Sequence, residues 1–504
     1  MISPSTWAKK AGKPLASCLK QPKKNYIFIN LQVMENLQPN HIANVFRNAL
    51  KSGHIVREDS AAIFYNLDFL RERTAVLNSC FPAGTLHGLA IKACPLAGIM
   101  SRTMEWDMGV EAASLGEVML ALSLGYNPRQ VIYDSPAKTE EDIKFALTRG
   151  VNLNLDNFQE LERVKNILER TGSKGYASGA RPDHGNAGII GIRVNPQVGE
   201  GSIAESSVAG IYSKFGVPLA ANRERLIKAF VENDFLTGLH LHVGSQGCSL
   251  TLLVDGCGRL YDLMCEINAA TMAAKGYPQV SNFDIGGGLP ISYFRDRSPA
   301  SMEDYVQALR KRCPTLFPHP GSRIPNPVSS IQHPAPSTQS LTTDHQPLTT
   351  IRLITEFGRW TYTNAAWTVS RVEYVKQDPG VNTAMLHVGA DLFVRECLNP
   401  KDWPHEYSVL DSMGNLKQGV SENPWNLAGP LCFSGDIIAK GVSLPMMDQG
   451  DHLVIHDTGG YTISMWSRYN SRFAPKILGY TGDGKEFVIL KKRETMEDIM
   501  RFWK

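Results

Sequence analysis

GEVMLALSLGYNPRQVIYDSPAKTEEDIKFALTRGVNLNL, residues 116–155, contains two helix-then-strand units in succession. Residues 116–124 carry an apolar stripe at Val118, Met119 and Ala121-Leu122 behind Glu117, and Gly125 is a natural stop. Val131-Ile132-Tyr133 has the β-branched and aromatic make-up of a strand. Thr139 is placed to cap a helix that runs to residue 149, where Gly150 ends it, and residues 151–155 form a strand again. The same alternation extends in both directions. Residues 62–65 and 86–91 read as strands upstream. Downstream come a helix at 157–170, a strand at 189–194, a helix at 222–233, and strands at 236–242, 283–285 and 351–356. Strand and helix alternating over this length predict a parallel sheet, and this many units favour a closed (β/α)8 barrel, an α/β TIM-barrel class, over an open sheet.

In such barrels the chemistry sits at the C-terminal strand ends. Lys92, Asn154, Arg193, His242, Gly286-Gly287-Gly288 and Glu356 all fall at or near predicted strand ends. After about residue 385 the helical period fades, and residues 405–409, 450–456 and 486–490 read as strands separated by turns such as Asp483-Gly484, which predicts a β-rich second domain. Residues 314–350 hold eight of the 29 prolines with many Ser, Thr and Gln, the composition of a low-complexity surface insertion.

At 504 residues, 43% hydrophobic and 20% charged, the composition is that of a globular chain with a large core. The net charge of +3 is local: residues 1–34 carry six lysines and no acid, a basic tail expected to be disordered. The remaining 46 basic and 49 acidic residues form no block suited to wrapping nucleic acid. The nine cysteines show no CxxC pair, so neither a disulfide framework nor a metal site is read, and a reducing, cytoplasmic setting is expected. No run is long and apolar enough to span a membrane. The lysine-rich head lacks the apolar core of a secretory signal but leaves organellar targeting open.

Lys92, at the end of an apolar run, suits a Schiff-base lysine; a solvent-facing strand-end lysine is the plain alternative. Glu111 could steady it. His242 could stack on a flat ring with Ser245 beside it, or be a satisfied core histidine. Gly286-Gly287-Gly288 could turn backbone N–H groups toward a phosphate, or simply form a tight turn. Glu356-Phe357-Gly358-Arg359 sets a carboxylate at a strand end and a guanidinium three residues on, suited to a pyridine nitrogen and a phosphate, or to a structural ion pair. Cys432 and Tyr461 offer a thiol and a phenol in glycine-flanked loops, although a buried cysteine and a core tyrosine are the plainer readings. An amine at a strand end, a glycine loop and a carboxylate together describe a site for an aldehyde cofactor with a phosphate and a pyridine nitrogen, which is pyridoxal 5′-phosphate.

In this order the pieces resemble the alanine-racemase-like, fold type III pyridoxal-phosphate decarboxylases, the ornithine, arginine and diaminopimelate decarboxylase group, over about residues 61–480. The diaminopimelate branch is the nearest in flavour. It is carried by Arg193-Val194-Asn195-Pro196, Lys214-Phe215-Gly216, His242-Val243-Gly244-Ser245-Gln246, Gly429-Pro430-Leu431-Cys432, Ser434-Gly435-Asp436 and Tyr469-Asn470-Ser471-Arg472. The resemblance implies that Lys92 carries the cofactor, that His242 stacks on its ring with Arg193 close by, and that Glu356 meets the pyridine nitrogen. It also implies that Ser245, Gly286, Gly287, Gly288, Gly358, Arg359 and Tyr461 surround the phosphate. Cys432 would enter from a partner subunit as the proton donor, in a homodimer with shared active sites. Residues 35–84 would contribute to the β domain, 85–385 would form the barrel and 386–504 the C-terminal β domain.

Departures from the family pattern fall at the substrate's far end. Arg395 matches a family arginine that grips that end, but Asn399 stands where a tyrosine is expected, and Phe433 where an acid follows the cysteine. Phe357 replaces a usual proline. An aromatic ring does not neutralise a buried ammonium as a carboxylate does. The expectation is an amino-acid α-decarboxylase with altered distal recognition. A racemase of the same fold and a non-catalytic, antizyme-inhibitor-like binding protein are the alternatives. Glu356 weighs against the first, and the full set of cofactor contacts against the second.

Overall fold

A computed structural model of the protein describes residues 36–171, 187–317 and 351–504. Eight parallel strands close on themselves in the order Asn152–Leu155, Val131–Asp134, Gly109–Ala112, Leu86–Ala90, Arg352–Thr355, Asn282–Asp284, Leu236–His240 and Ile190–Asn195. The last pairs back with Asn152–Leu155. The short strand Val217–Pro218 hangs on the edge of Ile190–Asn195. This is the (β/α)8 barrel expected from the alternating pattern.

Local chemistry places the surrounding helices. Thr139 and Asp142 form a reciprocal capping box at the start of Glu140–Arg149, and Gly150 ends it at φ 73°. Phe158–Thr171 turns Leu161, Val164 and Ile167 inward at helical spacing. Ser249 caps Leu250–Lys275, a long helix for which the sequence pattern gives no prediction, and Gly276 closes it at φ 84°. Gly109–Ala112 is likewise a barrel strand missing from the alternation read above. Elsewhere the predicted ends shift by a few residues: the strand expected at 86–91 stops at Ala90, where a 310 turn, Ile91–Ala93, takes over.

A second sheet is built around Ala61–Asn66. It pairs antiparallel with Ala366–Asp378 and parallel with Lys476–Thr481. Phe64 lies flat on Trp367, ring centroids 4.1 Å apart, at the centre of this layer. Val372, Leu386, Val409, Trp425 and Leu453 belong to its apolar core. The sheet takes up the chain at Ala366, well before residue 385, so the barrel boundary expected from sequence lies too far along. Ala366–Asp378 begins as a fully buried run and alternates only later, so its first half reads like a barrel strand. The proline-rich stretch also starts later than residue 314, because Pro314–Leu316 is a 310 turn with Leu316 buried. The rest of that insertion, from 318, and the basic head lie outside the described residues. Among the described residues no helix is long and apolar enough to cross a membrane.

Candidate active site

The C-terminal strand ends and loops from the second sheet enclose a cavity of about 730 Å³. Lys92 enters it from the Ile91–Ala93 turn, with 40% of its side chain open, and its Nζ lies 2.7 Å from Glu111 Oε2. The neighbouring strands are in register at Ala90 and Glu111, which sets the two side chains together. Burial opposes the Lys92 charge, but Glu111, Tyr461 and Glu356 outweigh it and hold the ammonium above its usual range. Burial pushes the Glu111 carboxyl up, against the pull of Lys92.

The floor is an ionic cluster. Arg193 Nη1 pairs with Asp134 Oδ2, and its guanidinium lies over the Phe215 ring at 4.5 Å. His240 sits between Asp134, 3.8 Å from Nδ1, and Glu356, 3.4 Å from Nε2. Burial alone would raise the Asp134 and Glu356 carboxyls. Arg193 and His240 hold Asp134 low, and His240 does the same for Glu356. Glu356 Oε1 is buried without a partner.

His242, two residues beyond its strand, accepts the Gly287 N–H on Nδ1 at 3.2 Å. Burial and the Lys92 and Arg193 charges push its pKa down to about 3, so the ring is neutral and its proton sits on Nε2.

Above the floor, Arg359 donates from Nε to Ser245 Oγ at 3.0 Å and from Nη1 to the Tyr293 hydroxyl at 2.8 Å. Its guanidinium lies 4.5 Å from the Tyr461 ring and 4.8 Å from Trp403. Tyr461 adopts φ 60°, unusual for a bulky residue, and its N–H donates to Ala93 O at 2.9 Å. That bond ties a loop of the second sheet to the turn that carries Lys92. Arg395 donates from Nη2 to Tyr461 O at 3.0 Å and lies over Trp403 at 4.3 Å. Asn399 donates from Nδ2 to Asp402 Oδ2 at 2.6 Å.

The structure therefore gathers Lys92, Arg193, His242, Ser245, Glu356, Arg359, Arg395, Asn399 and Tyr461 around one cavity, with Glu111 behind Lys92. Gly286, Gly287 and Gly288 are not among the residues lining it. A Cβ would meet Leu241 O at 2.5 Å, Glu356 O at 2.5 Å and Gly244 O at 2.3 Å, respectively, so the three glycines answer to the close approach of neighbouring backbone. Gly358 has the same kind of reason: a Cβ there would meet Ala90 Cβ at 2.9 Å and Ala93 Cβ at 3.0 Å, on either side of Lys92. Cys432 and Phe433 are exposed and lie outside the cavity lining of their own chain. The Cys432 N–H donates to Asn470 Oδ1 at 2.8 Å, and Phe433 packs edge-on against Tyr469.

Sequence reading missed His240, Asp134, Asp284, Tyr293 and Trp403. For His240 a signal existed: it stands two residues before His242 within the strand predicted at 236–242, a spacing that would put both on one face. Asp134 extends the predicted strand Val131-Ile132-Tyr133 by one residue, into the strand-end position where barrel chemistry collects.

A family model described as pyridoxal-dependent decarboxylase, pyridoxal-binding domain, matches residues 67–326. The chain is 24% identical over 444 residues to a diaminopimelate decarboxylase of Zymomonas mobilis, covering 87% of this chain and 91% of that one. It is 26% identical over 446 residues to a diaminopimelate decarboxylase of Helicobacter pylori strain J99, covering 87% and 94%. A crystal structure of Helicobacter pylori diaminopimelate decarboxylase complexed with L-lysine superposes with a TM-score of 0.70 at 23% identity, over 90% of this chain and 98% of the other. That likeness speaks for the fold.

Proposed function

The chain belongs to the pyridoxal-dependent decarboxylase family, carboxy-lyases that work with pyridoxal 5′-phosphate, and on that premise we propose that it decarboxylates an amino acid whose far end differs from that of diaminopimelate. The residues present fit the cofactor. Glu356 Oε1, buried and unpartnered, is an acceptor in want of a donor, and a protonated pyridine nitrogen is one. Lys92 would hold the aldehyde carbon, and Glu111 Oε2, at 2.7 Å, is placed to take the proton that Nζ must lose. The neutral, flat His242 suits the ring face. Arg359, with Ser245 and the Tyr293 hydroxyl on its guanidinium, offers the charge and donors a phosphate requires. When bound, the cofactor supplies an electron sink for the pair released as the bond from Cα to the carboxylate breaks. Arg193 is held by Asp134 on the floor beside that chemistry.

Cys432, as the donor that returns a proton to Cα, would come from a second copy of the chain, since within its own chain it lies outside the cavity. A homodimer with shared sites follows from that reading. The observation that carries the altered specificity is the set of acids around the cavity. Asp134 and Glu356 are committed to Arg193 and His240 on the floor, and Glu205 is exposed, where its charge is screened by solvent. Arg395, Leu398, Asn399, Trp403 and Met465 line the remainder on the side of the second sheet, and Phe433 of a second copy would add an aromatic ring rather than a carboxylate. Such a wall suits a tail that ends in a carboxylate or in apolar groups and leaves a far ammonium uncompensated.

The test is carbon dioxide release by cofactor-loaded protein. The panel is diaminopimelate, lysine, ornithine, arginine and amino acids with carboxylated or apolar tails, with Lys92→Ala as control. Release from a carboxylated or apolar-tailed substrate, abolished by Lys92→Ala, is expected. Efficient and selective turnover of diaminopimelate would overturn the altered specificity, and release from none would overturn the decarboxylase.

A further inference from the structure

His240 is a buried ionisable group beneath the cavity to which the proposed chemistry gives no part. Its ring is fully buried, and both nitrogens face carboxylates at ion-pair distance without a hydrogen bond: Nε2 toward Glu356 Oε2 at 3.4 Å, Nδ1 toward Asp134 Oδ1 at 3.8 Å. A third acid closes the cluster. A ring nitrogen of His240 and carboxylate oxygens of Asp284 and Glu356 lie within 4.8 Å of one another. Asp284 Oδ1 accepts the Gly286 N–H at 2.9 Å, and Oδ2 is left buried without a partner. These groups arrive on separate strands, with Arg193 behind Asp134, and Lys92 and Glu111 above.

Three carboxylates packed this deeply cannot all be ionised unless cations stand among them. A neutral imidazole offsets neither acid, whereas an imidazolium at ion-pair distance from both compensates two buried carboxylates at once. We propose that His240 is a positioning residue, an imidazolium clamped between Asp134 and Glu356 that keeps Glu356 ionised and aimed at the pyridine nitrogen of the cofactor. The charges then alternate through successive pairs, Arg193, Asp134, His240, Glu356. The protonation balance agrees with this geometry. Burial opposes charge on His240, but Glu356, Asp134 and Asp284 raise its pKa to about 9. Burial and Glu356 push Asp284 well above the carboxylate range, so it stays a neutral acid and does not compete with Glu356 for the His240 charge. The inference rests on the reading of Glu356 given under the proposed function.

The experiment compares the binding of pyridoxal phosphate with that of its 1-deaza analogue, in which a C–H replaces the ring nitrogen, to wild type and to His240→Asn. Binding is followed by quenching of tryptophan fluorescence, Trp403 being in the cavity wall. Wild type should prefer the natural cofactor by about tenfold or more, the worth of one hydrogen bond to a charged group. In His240→Asn that preference should collapse to within about threefold, because the lost contribution passes through the nitrogen that the analogue lacks. A merely structural histidine would weaken both ligands alike and leave the preference intact, which overturns the proposal while Glu356 keeps its role. No preference in wild type overturns the reading of Glu356 and this inference with it. If His240→Asn does not fold, nitrogen-15 shifts of the histidines in wild-type holoprotein decide: two protonated ring nitrogens on His240 near neutral pH support the clamp, and a neutral ring refutes it.

Discussion

His240 and His242 stand two residues apart at one strand exit, and their surroundings drive them to opposite charge states. Burial, reinforced by the Lys92 and Arg193 charges, holds His242 neutral, with its pKa pushed down to about 3. Glu356 and Asp134 overcome burial at His240 and raise it to about 9. The second shift has a thermodynamic consequence whose sign is fixed. A histidine whose folded pKa exceeds its unfolded value of about 6.5 stabilises the fold fully below that pH, and the contribution is lost as pH rises through about 9. The melting temperature of the cofactor-free protein should therefore exceed that of His240→Gln by most near pH 6, and the gap should narrow steadily toward pH 9.5. A gap that stays constant over this range in scanning calorimetry would show that His240 is not charged in the fold.

At the level of elements, the Gly286-Gly287-Gly288 loop shows why barrel strand ends need particular residues. Gly287 passes so close to the next strand exit that a Cβ would sit 2.5 Å from Glu356 O, and the Gly287 N–H is committed to His242 Nδ1. Gly287→Ala must displace either the loop or Glu356, and overpacking of this kind costs about 1–3 kcal/mol. Urea unfolding should register that loss together with weaker cofactor binding, and an alanine variant of wild-type stability and affinity would show that the loop yields freely. The sequence offered two readings of these glycines, a phosphate loop and a tight turn, and close approach to Glu356 is invisible without the neighbouring strand. What could be read was local. The cap at Thr139, the stop at Gly150 and the apolar strands lie within a few residues of one another, and they were enough to predict the barrel. Ala366–Asp378 was hidden because its buried half lacks alternation, and Leu250–Lys275 because its apolar residues spread round the helix instead of forming one stripe. Lys92, Glu356 and Arg359 could be found because each sits in a short motif. The positions of His240 and Asp134 at predicted strand ends could be read, but their pairing with each other, with Glu356 and with Asp284 runs between strands far apart in sequence, and no spacing announces that.

At the scale of the whole molecule, the cavity is assembled from distant parts of the chain, and one proposed participant is missing from it. The second sheet's side of the chain supplies Arg395, Trp403 and Tyr461 to a floor built by the barrel. Cys432, also from that part, faces solvent on the same chain. If a second copy brings Cys432 to the Lys92 of the first, each site needs one residue from each subunit. A Lys92→Ala subunit and a Cys432→Ala subunit, each nearly inactive alone, then form one complete site when paired. Free exchange in an equal mixture puts half of the subunits' dimers in the mixed form, with one intact site of two, so about a quarter of wild-type carbon dioxide release should return. The mixture should also regain this activity only as fast as subunits exchange, which dilution and reconcentration would accelerate. If the mixture stays as inactive as its components while size-exclusion chromatography shows that exchange has occurred, Cys432 does not serve a neighbour's site. The proton donor would then have to come from within the chain that holds Lys92.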